Sequence, residues 1–185
     1  MMTASPDQVL VLTSYPPRVC GIATYTQDLI TALNRTFTGP YRYTVCALED
    51  RLVPRDYPSE VTHRLNTADA EDHVRLALDV DQDPRIRSVW VQHEFGLYNG
   101  GQGAHLLQFL HAVNKPVAIT FHTVLPAPSV ERKAMMRALA DRASDIIVLT
   151  ERSARIMRED YGIPADKISV IAHGTHPVKS VSYTH

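Results

Sequence analysis

Three histidines stand just beyond short apolar runs: His93 after Val89-Trp90-Val91, His122 after Val117 to Phe121, and His173 after Ile168 to Ala172. An imidazole titrates near neutral pH and can donate, accept or ligate, so each is a candidate for proton transfer or polar recognition. Glu94 and Phe95 follow His93, Thr123 follows His122, and Gly174 follows His173, which adds a carboxylate and a hydroxyl at the same kind of position. Arg18, Cys20, Gly21 and Ile22 come after the first apolar run, Val9 to Leu12, and Gly21 opens a helical pattern. A helix N-terminus carries unpaired N–H groups and partial positive charge, and a glycine there lets a phosphate come close to the backbone. A lone glycine of this kind equally serves a tight strand-to-helix turn. Gly100-Gly101-Gln102-Gly103 precedes another helical pattern and reads first as a flexible connection, second as an anion nest. Tyr15, Phe95 and Tyr98 lie in the same segments, where aromatic rings stack on sugars or simply close a surface.

Other chemistries find less support. Three imidazoles could hold zinc, but their spacing matches no short metal signature, so no metal is expected. There is no G-x-S-x-G elbow for a hydrolase, and no G-x-G-x-x-G for a nicotinamide or flavin enzyme. A phosphosugar-processing enzyme on a similar sheet would need an acid–base pair at the strand ends, and only Glu94 is present. With 19 basic and 20 acidic residues and a net charge of -1, nothing favours a nucleic-acid partner. Two cysteines, Cys20 and Cys46, are too few for a disulfide framework and read as free thiols.

The elements that must position these residues alternate. Strands are expected at Val9 to Leu12, Tyr43 to Leu48, Val61 to Leu65, Ser88 to Val91, Val117 to Phe121, Ile146 to Leu149 and Ile168 to Ala172, with helical stripes between most of them. The first stripe is Ile22, Tyr25, Leu29, Ile30 and Leu33; Thr150 caps the last helix, which stops at Gly162. Pro16 and Pro17 give strand one an extended exit. Apolar strands alternating with helices predict an α/β class: a Rossmann-like open, mostly parallel sheet with helices on both faces. In such sheets ligands bind beyond the carboxyl ends of the strands, where every residue named above falls. The domain is expected over 1–178, with 179–185 as a patternless tail at an interdomain junction. The N-terminus is not a signal peptide and no run reaches membrane-spanning length, so the reading is cytoplasmic.

The chain resembles the N-terminal half of glycosyltransferase family 4 enzymes with the GT-B fold. The resemblance rests on Ser14-Tyr15-Pro16-Pro17-Arg18-Val19-Cys20-Gly21-Ile22-Ala23-Thr24-Tyr25, Val91-Gln92-His93-Glu94-Phe95-Gly96, Thr120-Phe121-His122-Thr123 and Val170-Ile171-Ala172-His173-Gly174, in that order across roughly residues 8 to 178. It implies an acceptor-binding domain of a retaining enzyme that moves a sugar from a nucleotide-sugar donor. Donor and reaction centre would lie in a cleft shared with a C-terminal domain missing from this chain, without a required metal or other cofactor. By the same resemblance, His122 faces the donor sugar as the catalytic group, and Gly21 and Ile22 approach the donor phosphates. Arg18, Glu94, Phe95, Thr123, His173 and Gly174 would line the acceptor side. The acceptor would be a sugar or a lipid-linked sugar, the latter implying peripheral membrane contact. Many relatives carry two glycines where this chain has Cys20-Gly21. The competing reading is a stand-alone, non-catalytic module for a nucleotide or sugar phosphate.

Overall fold

The computed structural model describes residues 6–37, 39, 41–51, 55–101 and 103–174. Among them, seven strands form one parallel sheet: β1 (Asp7–Thr13), β2 (Tyr41–Glu49), β3 (Val61–Asn66), β4 (Ile86–His93), β5 (Val117–Phe121), β6 (Asp145–Val148) and β7 (Ile168–Val170). Their order is β3-β2-β1-β4-β5-β6-β7 and every pairing is parallel. Five helices connect them: α1 (Gly21–Thr36), α2 (Ala70–Gln82), α3 (Ala104–Ala112), α4 (Val130–Arg142) and α5 (Glu151–Glu159). The expected α/β architecture is therefore present. The tail expected over 179–185 lies outside the described residues.

Central β1 reads as an unbroken apolar run because both of its faces are covered: Leu10, Val11 and Leu12 are all buried. The cover is unequal. Leu10, Leu12, Val91, Ile119 and Val148 face one continuous core with side chains from α2 to α5. Val11, Val45 and Ala47 face a smaller core with Ile30 of α1 on the other side. On that second side an open groove of about 350 Å³ runs over half-buried Trp90, Ala118 and Ile147.

Local chemistry ends most helices as sequence rules require. Asp69 caps α2 through the Glu71 and Asp72 amides, Ser129 caps α4 through Arg132, and Thr150 caps α5 through Ser153; such caps are worth roughly 1 kcal/mol each. Gly162, at φ 70°, gives its N–H to Arg158 O and closes α5 in the left-handed conformation glycine favours. Two expectations need correction. The Arg18 amide closes a turn on Tyr15 O at 3.0 Å, so the chain turns after β1 instead of leaving extended. The buried stripe of α1 is Ala23, Thr26 and Ile30, with Tyr25 only partly covered; the Thr13 and Thr26 hydroxyls meet at 2.9 Å on that buried face.

Candidate functional site

The chain leaves β1 toward β2 on one side, and later returns to place β4 on the other. The carboxyl ends of β1 and β4 thus flank the point where the order reverses, the usual ligand crevice of open parallel sheets. The sequence-derived residues lie along this edge, but they do not form a single group.

One group gathers around Tyr25 in the second turn of α1. Its ring meets the His122 imidazole edge-on, with centroids 5.1 Å apart, and the His173 imidazole at 4.6 Å. His173 follows β7 at the far edge of the sheet, so the segment after β7 comes back over the carboxyl edge to reach α1. His122 Nε2 lies 2.8 Å from Oε1 of Gln92, which is fully buried on β4. Burial pushes the His122 imidazole below its usual range; neighbouring Glu94 opposes this, and His173 adds to it. A ring held neutral near pH 7 can both give and take a hydrogen bond. His173 Nδ1 is 2.7 Å from Gly174 O.

A second group braces the exits of β4 and β5. Thr123 Oγ1 donates to Glu94 Oε2 at 2.6 Å, and the Phe95 amide donates to Glu94 Oε1 at 3.0 Å. Both carboxylate oxygens of Glu94 thus have partners within the chain. The Arg132 guanidinium lies 5.1 Å over the Phe95 ring, and its buried Nε has no partner.

The third group is the start of α1. Cys20 is the N-cap residue, and no side chain closes the helix there. Gly21 has no unusual φ, and a Cβ built on it would meet nothing within 4 Å. The chain's own turn therefore does not require glycine at this position. Burial alone would raise the Cys20 thiol. The Ser14 hydroxyl at 3.3 Å, the Ala23 and Ile22 amides facing the sulfur and the Arg18 charge outweigh it and hold the thiol below the ordinary cysteine value. Ile22 packs onto the larger core. Arg18 turns away from the histidines and donates from Nη1 to Leu48 O, 3.0 Å away, at the end of β2.

Three readings of the sequence change. His93 does not join His122 and His173: it projects from the opposite face of β4, 1% exposed, among Phe95, Tyr98 and Phe121. Neither of its ring nitrogens has a hydrogen-bond partner, and burial holds its pKa at about 3. Among the described residues no three histidine, cysteine or acidic side chains are grouped to hold a metal ion. Tyr15 and Tyr98 are buried, bonding Glu60 and Gln92 O through their hydroxyls, so neither offers a face to a sugar. The residues flanking the glycines are held in place: Asn99 Nδ2 donates to Thr67 Oγ1 at 3.0 Å, and His105 Nδ1 lies 3.0 Å from Thr67 O. The Ala104, His105 and Leu106 amides that begin α3 already reach Gly101 O, Asn99 O and Gly103 O. Those three amides are therefore already taken.

Gln92, Tyr25 and Arg132 were missed as site residues. Gln92 carried a signal, a polar residue at the last inward position of an apolar strand. Tyr25 carried one too, a single turn beyond Gly21 and so on the same edge. Arg132 had none, since only the folded packing brings it over Phe95.

The described helices include none long and apolar enough to cross a membrane. The family model for Glycosyltransferase Family 4 matches residues 19–178, and the chain belongs to that family. Comparison with curated proteins found no match.

Proposed function

We propose that this member of glycosyltransferase family 4 is the acceptor-side half of a retaining enzyme, which transfers a sugar from a nucleotide-sugar donor and turns over only with a donor-binding domain. The observation that carries this reading is the open start of α1. No side-chain hydrogen bond caps it, although the Ile22 and Ala23 amides face the Cys20 sulfur; its first residue is a glycine the backbone does not need, and Tyr25, one turn on, meets His122 and His173. A departing nucleoside diphosphate gathers negative charge, and donors already fixed in place stabilise it most. In this reading the Gly21 and Ile22 amides approach the donor phosphates, and His122 faces the donor sugar at the reacting carbon. Arg18, Glu94, Phe95, Thr123, His173 and Gly174 line the acceptor side, with Glu94 and Thr123 acting as a paired brace. The acceptor is a sugar or a lipid-linked sugar, and a lipid acceptor brings the domain to a membrane surface. The donor is a co-substrate, no metal is assigned a role, and the reaction belongs in the cytoplasm.

The test is mass-spectrometric detection of glycosyl transfer. The isolated chain should give negligible product. In the chain joined to its donor-binding domain, His122→Ala should lower turnover by about 10²- to 10⁴-fold, as loss of a positioned acid–base group does. Unchanged kinetics would remove His122 from the site. Donor binding without transfer by any extended form would leave a non-catalytic binding module in place of the enzyme.

A further inference from the structure

We infer that Gln92 is the positioning residue for His122: it fixes the imidazole as the Nε2–H tautomer, so that Nδ1 carries the ring's lone pair. Two cross-strand bonds on one side of the sheet carry the inference. In the β4–β5 register Trp90 lies opposite Ala118 and Gln92 opposite Thr120. Each of the two β4 side chains instead reaches the next inward position of β5. Trp90 Nε1 donates to Thr120 Oγ1 at 2.8 Å, and Gln92 Oε1 lies 2.8 Å from His122 Nε2. The lower bond has only one possible direction, because indole N–H is a donor alone. The upper bond spans the same step one position nearer the carboxyl edge but in the opposite sense: Gln92 Oε1 is a carbonyl oxygen and can only accept, so His122 Nε2 must carry the N–H, while Gln92 Nε2 has no partner.

Burial makes this choice consequential. Gln92 is fully buried and has no freedom to exchange its carbonyl for water. A neutral imidazole has one N–H and one lone pair, so a carbonyl on Nε2 puts the proton there and the lone pair on Nδ1. Among the described residues nothing bonds Nδ1. The Tyr25 ring packs edge-on against the imidazole and limits its rotation. A ring so held accepts a hydrogen bond from a ligand hydroxyl and presents no donor to a phosphate oxygen. The use of that lone pair in sugar transfer rests on the reading above; the tautomer itself does not.

The experiment is nitrogen-15 NMR of the His122 ring in the full chain at a pH above its titration. The expected result is a pyrrole-like shift at Nε2 and a pyridine-like shift at Nδ1. The opposite assignment, or averaged shifts in exchange between the two tautomers, overturns the proposal. Gln92→Leu should lose the fixed tautomer and Gln92→Glu should restore it, because a carboxylate accepts the same bond. Gln92→Glu should also raise the His122 pKa, whereas a side chain that only fills space would leave it unmoved. If neither variant folds, the wild-type assignment still decides the matter. In the chain joined to its donor domain, Gln92→Leu should lower kcat by about 10-fold with donor KM little changed. Absent transfer with the tautomer confirmed would sink the transferase reading and leave the role of Gln92 standing.

Discussion

Two glycine-bearing turns lead into helices of this domain, and they use glycine for opposite reasons. Before α3, Gly100, Gly101 and Gly103 all have positive φ, and a Cβ on Gly100 would lie 2.3 Å from the His105 ring. Those glycines serve the chain itself: they let loop carbonyls plug the first amides of the helix. Before α1, Gly21 has ordinary backbone geometry and empty space where a side chain would be. Among the described residues nothing requires it. A glycine demanded by φ is a folding feature, whereas one without such a demand points outward, to whatever approaches the backbone there.

The contrast can be broken by substitution. Gly100→Ala should destabilise most, by about 2–4 kcal/mol in urea unfolding, because it combines a forbidden φ with a clash. A loss under 1 kcal/mol would mean the loop is not pinned as described. Acid should act next. His93 lies under Gly103, with Nε2 3.9 Å from the Cβ position, and its pKa is held at about 3 from an ordinary 6.5. Between those values the unfolded chain binds a proton that the folded chain refuses, so stability falls as pH falls. The loss is about 2 kcal/mol by pH 5 from this group alone. His73 is also lowered by burial and adds in the same direction. His93→Leu should flatten the pH dependence by about one proton; an unchanged slope would reject the assignment. Gly21→Val should weaken nucleotide-sugar binding about 10-fold, or roughly 1.4 kcal/mol, in calorimetry on the form that carries the donor domain; equal affinity would remove the phosphate role. The smallest effect is Gly21→Ala, which should leave stability within about 1 kcal/mol and on the favourable side, as expected in a helix. If Gly21→Ala unfolds the chain as Gly100→Ala does, the two turns are alike after all.

Much of this frame was legible in the residues, because buried parallel strands are written as continuous apolar runs. The β5 limits, Val117 to Phe121, follow directly from such a run, and the Thr150 cap from its side-chain chemistry. What could not be read depends on register and packing between distant segments. His93 and His122 both end apolar strands, yet pairing of His93 with Phe121 puts the two imidazoles on opposite sides of the sheet. Tyr25 fits an apolar helical stripe by spacing alone. The packing of Ala23, Thr26 and Ile30 against the sheet, with the Thr13–Thr26 contact between β1 and α1, leaves it partly covered and beside the histidines. Arg18 is sequence-adjacent to the glycine turn, but after the turn closed on Tyr15 O its side chain reaches back to the end of β2.

The thinly covered side of the sheet has an optical consequence. The chain has one tryptophan, and Trp90 sits half-buried in that open groove, bonded to Thr120 one step below the Gln92–His122 pair. Indole emission responds to hydration and to the hydrogen bond at its nitrogen. The domain therefore carries a built-in fluorophore, at a single known address, whose colour and quenching follow the β4–β5 edge beneath the histidines without any label.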